Sequence, residues 1–368
     1  MHAVLRVDLA VLADNLRVVR QALGTTAVSA VVKANAYGHG APRIAPWLEA
    51  RGVRHFCVAT LAEALALRAD GLQGDLLVLG APVPGELVAY RQHGLEAAVA
   101  TPEVATAVLH LADTQPGLRV QVLVDTGMQR YGLTPEAAIE IGHRLLAHPG
   151  VRVAGFFSHL AQADHADAPA NDRQRARFAP VVEAFQHAGC GFHLDASAAA
   201  LQHGHAQAYT VARIGGGLFG HYDFAGEAPL VQPASALCAP VRQVRPVAAG
   251  SAVSYGGTWR APTDRHIAVV GAGYADGYPR RLSNNGWVGY AGHRLPVVGR
   301  VCMDALMIDL GPASEAVPLD VGAEVTLWGG PQGPTIQEVA AWADTIPYEI
   351  WCRVGARVRR CYEEDQGA

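Results

Sequence analysis

The chain has 368 residues, half of them hydrophobic, with a formal net charge of −4. That length supports a large core and two domains. The charge balance gives no sign of nucleic acid or an anionic membrane as a partner, and no run of about 18 apolar residues is present to span a bilayer. The N-terminus, MHAVLRVDLA, lacks the basic start and long apolar run of a signal peptide and leads into an amphipathic pattern, so a cytoplasmic protein is expected.

From residue 10 to 230, short apolar runs alternate with helix-like stretches. The runs are Val28–Val32, His55–Ala59, Leu76–Leu79, Glu96–Val99, Val120–Val124, Arg152–Phe157, Gly191–Leu194 and Val211–Ile214, eight candidate strands. Pro42–Arg51, Leu61–Gly71 and Asp172–His187 carry apolar residues at helical spacing. Eight strand–helix repeats predict an α/β fold, a (β/α)8 TIM-like barrel over residues 1–232. The rival, a doubly wound sheet, lacks its early Gly-x-Gly-x-x-Gly turn. Beyond residue 232 helical periodicity fades. Short runs bounded by Gly and Pro predict a mostly β domain over residues 233–368: Ile267–Val270, Trp287–Tyr290, Leu295–Val298, Ala305–Ile308 and Glu324–Leu327. Only Thr335–Asp344 reads as helix there, with Thr335 as its N-cap.

Of 29 basic residues, 28 are arginine and one, Lys33, is lysine. A primary amine can lose its proton and form a Schiff base, whereas guanidinium stays charged. Chance survival of one surface lysine is the plain alternative, but Lys33 directly follows an apolar run and so ends a strand, on the active face of a barrel. Ala34-Asn35-Ala36-Tyr37-Gly38-His39-Gly40 follows, small and glycine-rich. Arg130, His159 and Ser197 each follow other runs, and Arg213 lies in the last, before Gly215-Gly216-Gly217. Singly, Arg130 reads as a surface ion-pair partner and His159 as a core histidine; together they converge on one barrel face, where branched apolar side chains are the rule. The triple glycine suits either a phosphate loop or a simple turn. The six cysteines form no C-x-x-C pair and read as reduced thiols. No metal site is expected; His203-x-His205 has ligand spacing but reads as a loop.

The segment Val31–Gly40 resembles the pyridoxal-phosphate (PLP) attachment signature of alanine racemases. Asp125-Thr126-Gly127-Met128, Ser158-His159, Ser254-Tyr255-Gly256, Gly273-Tyr274-Ala275-Asp276-Gly277-Tyr278 and Cys302-Met303-Asp304 extend the likeness along the chain. The resemblance implies a PLP-binding barrel plus a β domain, in a homodimer with shared active sites. It implies that Lys33 carries PLP and acts on the D-amino acid, and that Tyr255 of the partner acts on the L-amino acid. Arg213 would bond the pyridine nitrogen, and His159 would bond Arg213 and help tune Tyr255. Tyr37, Ser197, Gly215, Gly216 and Tyr348 would hold the phosphate, and Leu79 would face the cofactor. Arg130 and Met303 would meet the substrate, and Tyr274 and Tyr348 would narrow the way in. The product, D-alanine, would serve peptidoglycan.

The chain also departs from the family. Leu123 stands where many members carry a carbamylated lysine, Ala196 replaces an Asn before Ser197, and Tyr131 replaces a Leu. Without that carbamate Arg130 needs other support, neutral hydrogen bonds or a small anion such as chloride, so dependence on chloride but not bicarbonate is expected. Three rivals share the cofactor. A serine or broader-specificity racemase shares the mechanism. A basic amino-acid decarboxylase does not need Tyr255, and a PLP-carrier protein lacks the β domain.

Overall fold

The computed structural model describes residues 2–165, 168–202, 209–222 and 230–363. His203 and His205 lie outside them. Its contacts cluster into two units, one of Asp14–Ala36 and Gly40–Gln232, the other of Met1–Ala13, Tyr37–His39 and Pro233–Ala368. No described helix is long and apolar enough to cross a membrane, and no cluster of three or more metal-ligating side chains occurs among the described residues.

In chain order the first strand is β1 (Val4–Asp8). Eight more follow: β2 (Ala27–Val31), β3 (His55–Val58), β4 (Asp75–Val78), β5 (Leu95–Val99), β6 (Leu118–Leu123), β7 (Val151–Phe157), β8 (Gly191–His193) and β9 (Val211–Ile214). These eight form one parallel sheet in the order β8-β7-β6-β5-β4-β3-β2-β9. The seam between β8 and β9 is bridged: Thr210 N donates to Phe192 O and Arg213 N to Asp195 O, both at 3.0 Å. The barrel predicted from the eight apolar runs is therefore present. Threonine N-caps begin three of its helices, Thr60 before Leu61–Ala69, Thr101 before Pro102–Thr114 and Thr134 before Pro135–Ala147. Each hydroxyl accepts an otherwise orphaned backbone N–H and fixes where the chain leaves a loop at the C-terminal ends of the strands.

The other unit is mostly β. It contains β10 (Ser235–Val247), β11 (Ala252–Val253), β12 (Trp259–Arg260), β13 (Arg265–Val270), β14 (Trp287–Tyr290), β15 (His293–Pro296), β16 (Leu306–Pro312), β17 (Glu324–Gly329) and β18 (Arg359–Glu363). The N-terminal strand β1 belongs here, antiparallel to β10 and parallel to β18. The long β10 pairs with β1 and β17 through its first half and with β13 through its second. Thr335 caps the helix Ile336–Ala343 in a capping box with Glu338, as the sequence predicts. A second short helix, Pro347–Cys352, carries Tyr348.

Candidate active site

Lys33 comes two residues past the end of β2, half-buried. The backbone then makes a left-handed turn: φ is 51° at Ala34, 56° at Asn35 and 53° at Ala36, and 52° at Tyr37. Left-handed backbone costs about 1–2 kcal/mol per non-glycine residue, so this turn must be over-determined. Its anchors are visible. Glu63 Oε1 accepts from Ala34 N at 2.7 Å. Ala36 N donates to Val32 O at 2.8 Å and Gly40 N to Asn35 O at 2.9 Å. Asn35 Oδ1 accepts from Ala41 N at 2.8 Å. Lys33 thus leaves a strand into a turn fixed at several points.

Arg213, on β9, is buried (4% exposed), and its terminal nitrogens are saturated. NH1 donates to His193 Nδ1 at 2.5 Å and His193 O at 3.0 Å. NH2 donates to Ser158 O at 2.6 Å, Leu194 O at 3.2 Å and His159 Nδ1 at 3.2 Å. The Nε–H has no acceptor among the described residues. Burial pulls the guanidinium down to about 10, against the pull of Cys57 and Asp195. His159 falls to about 3, through burial first and then the positive charges of Arg213, Arg130 and Lys33. A neutral imidazole therefore stands among three cations drawn from three separate strand ends.

The loops at this end are tied together by Gln174, a buried residue of the helix Pro169–Phe185. Its Nε2 donates to Thr126 Oγ1 at 3.0 Å and to His159 O at 2.8 Å. Thr126 Oγ1 in turn meets Ser158 Oγ at 2.8 Å. Arg130 sits on the loop after β6, which closes on itself. Asp125 N donates to Leu133 O at 2.8 Å and Leu133 N to Leu123 O at 2.9 Å. Gly132, at φ 125°, permits this closure, since a Cβ there would come within 2.6 Å of Asp125 N. Leu123 is buried, whereas Arg130 is exposed and Tyr131 is 57% exposed. Within this single chain Arg130 is thus exposed rather than buried. Ser197 Oγ accepts from Gly215 N at 3.2 Å and Gly217 N at 3.1 Å, with Gly216 between them. Leu79 lies just past β4, half-buried.

The remaining predicted residues belong to the second unit. Tyr37 and Tyr348 come together there, ring centroids 5.9 Å apart. Tyr255 sits at the tip of the β11–β12 hairpin and is 71% exposed. Ser254 beside it has φ 64° and donates from Oγ to Arg300 O at 2.7 Å. Tyr274 and Met303 lie on two segments bound to each other: Tyr274 N donates to Cys302 O at 3.0 Å and Ala275 N to Met303 O at 3.1 Å. Gly273 makes this approach possible, because a Cβ there would lie 2.2 Å from Cys302 O. Buried Asp276 accepts from Gly273 N at 2.9 Å and pairs with Arg357 at 2.8 Å. Arg357 also reaches Asp304 at 2.6 Å.

The sequence reading overlooked Gln174 and His193, as well as Gln121 and Glu96 within strands it did find. For His193, Gln121 and Glu96 the signal was a polar or charged residue within an apolar run; Gln174, in the polar first half of the helix Pro169–Phe185, had none.

Residues 7–223 match the N-terminal domain of alanine racemase and residues 234–362 its C-terminal domain. The alanine racemase of Mycolicibacterium vanbaalenii is 38% identical over 373 residues, spanning 98% of this chain and 94% of that one. Among solved structures, alanine racemase from E. faecalis superposes with a TM-score of 0.91 at 35% identity, covering 98% of each chain. That of Clostridium difficile reaches 0.92 at 28% identity, covering 99% of this chain and 96% of that one. An eight-stranded parallel barrel with a mostly β unit, matched along its whole length, defines an isomerase of the racemase class. The chain belongs to the alanine racemase family.

Proposed function

We propose that the protein interconverts L- and D-alanine, using PLP carried on Lys33, in the cytoplasm and for peptidoglycan synthesis. The observation that carries this reading is the setting of the single lysine: a primary amine at a strand end, held by an anchored turn, with the buried guanidinium of Arg213 on the strand paired to its own.

The residues fit PLP. Arg213 Nε–H is a donor aimed at no protein acceptor among the described residues, and suits a ring nitrogen. The hydroxyl proton of Ser197 and the glycine run suit a phosphate. A Cβ at Gly217 would lie 3.2 Å from Ser197 Oγ and 3.1 Å from Leu201, so side chains there would crowd that cradle. Tyr37 and Tyr348 would add hydroxyls, and Leu79 an apolar contact. When bound, the cofactor supplies a conjugated ring that delocalises the electron pair left as the Cα proton departs. Arg213 only donates, so it would leave the ring nitrogen unprotonated and limit that delocalisation. Lys33 would hold or return the Cα proton on one face, and Tyr255 from a partner subunit on the other. Two bases on opposite faces are what inversion requires. Arg130, with Met303 and Tyr274, would receive the substrate carboxylate and small side chain.

Circular dichroism of L-alanine and L-serine with added PLP tests the activity and separates alanine from a broader range. Lys33→Arg keeps the charge but removes the nucleophile. Its racemisation should fall by on the order of a thousandfold or more, with loss of the cofactor's visible absorbance. Full activity in that variant would refute the assignment.

A further inference from the structure

Behind Arg213 a line of polar side chains runs through the barrel, where branched apolar residues are the norm. His193 Nε2 meets Gln121 Oε1 at 2.5 Å. Gln121 Nε2 donates to Glu96 Oε2 at 2.5 Å. Glu96 Oε1 accepts from Arg119 at 2.5 Å, and Arg119 pairs with Asp75 at 2.7 Å. His55 lies 3.5 Å beyond, beside Asp75. Glu96 is only 3% exposed and His193 likewise 3%. Gly155 leaves room for the line, since a Cβ there would lie 3.3 Å from Gln121 Oε1.

Donor and acceptor roles along this line have one consistent assignment. Arg213 can only donate, so His193 Nδ1 must accept. A neutral imidazole then carries its proton on Nε2 and gives it to Gln121 Oε1. That fixes the amide, whose NH2 must face an acceptor, and Glu96 is that acceptor. Burial, Arg213 and His55 hold His193 well below the usual histidine range. Phe157 stacks on its ring at 5.0 Å.

We propose that Glu96 and Gln121 are positioning residues for the racemase reaction. Together they hold His193 as the Nε2–H tautomer, and that tautomer holds Arg213 in place to meet the cofactor ring. The inference rests on the reading that Arg213 faces the ring nitrogen. In Glu96→Gln, the acceptor that orients Gln121 becomes an amide. Gln121 can then turn its NH2 toward His193, which drives the imidazole proton to Nδ1. There it meets an Arg213 N–H, donor against donor, and Arg213 shifts. Exchanging the two residues, E96Q/Q121E, again sets an acceptor against His193 Nε2–H and keeps an oxygen facing Arg119.

The test uses PLP-loaded enzyme labelled with 15N-histidine. Long-range 1H–15N spectra report the His193 tautomer, and visible absorbance between pH 6 and 10 reports the cofactor's surroundings. The wild type should show the Nε2–H tautomer and an absorbance steady with pH. E96Q should move His193 toward Nδ1–H and make the absorbance pH-dependent. Its kcat should fall about tenfold with KM little changed, the lower range for loss of a partner supporting a binding group. E96Q/Q121E should recover most of each. Gln121→Met, which severs the line without changing charge, is the second variant and should disturb the absorbance in the same way. The control is Arg213→Gln. If it alters the absorbance while E96Q and Gln121→Met keep the wild-type tautomer and absorbance, the inference is wrong. If Arg213→Gln itself leaves the absorbance unchanged, the reading of Arg213 fails instead.

Discussion

The residues named in the barrel unit and those named in the second unit are held in place by opposite means. Around Lys33 and Arg213, position comes from hydrogen bonds: nearly every donor has its acceptor, and two histidines are held neutral inside. Around Tyr255, Tyr274 and Met303, position comes from backbone that only small residues permit. The side chains themselves stand out, 71%, 42% and 52% exposed. These exposed side chains are ones that a second copy of the chain would cover in the proposed dimer.

If that difference reflects shared sites, the largest effect should come from mixing subunits. Lys33→Ala and Tyr255→Phe chains should each be inactive alone, down by about 10²-fold or more. Their heterodimers should regain one working site, read as activity that returns on subunit exchange. Verified exchange without recovery would put both bases in one subunit or retire one of them.

Next comes the glycine-built side. Gly273→Ala drives a methyl group against the Cys302 carbonyl, so it should destabilise the protein by about 3 kcal/mol or more in urea unfolding. A loss under 1 kcal/mol would mean that the Tyr274 and Met303 segments adjust freely.

The hydrogen-bonded side should be acid-sensitive. His159 and His193 are depressed in the folded state, so the unfolded chain takes up protons first as pH falls below about 6.5. Their contribution is fully present above that pH. It is lost on going down, toward about 3 for His159. His159 should cost about 1.4 kcal/mol per pH unit in that window, and His193 acts in the same direction. Unfolding measured at pH 6.5 and 5.0 checks the slope, and His159→Asn should make it shallower. The smallest effect is a local one: Thr335→Ala removes a capping box and should cost about 1 kcal/mol of stability, leaving racemisation unchanged.

Much of the barrel was legible because each strand carried a dense apolar run, and all eight runs fall on strands. The long strand β10 was not, because Pro240, Arg242, Arg245 and Pro246 interrupt any alternation, and the strand changes partners midway. Val4–Asp8 was missed as a strand because its partners lie more than 200 residues away, beyond the reach of local pattern. Within the site, Lys33 stood out by being alone. Glu96 and Gln121 did not, since a polar residue inside an apolar run looks like a flaw until its neighbours across the barrel are known. Tyr255 stands out locally only as a tyrosine among small residues, a possible proton carrier; the specific roles proposed for it and for Met303 come from the family likeness.

The turn after Lys33 has a chemical consequence of its own. Four consecutive residues, none of them glycine, hold the backbone conformation that mirror-image amino acids prefer. In a chain assembled by peptide ligation, D-alanine at Ala34 or Ala36 would relax what L-alanine strains, by about 1–2 kcal/mol at each position. An enzyme of this family would then hold, next to its own lysine, the enantiomer it is proposed to make.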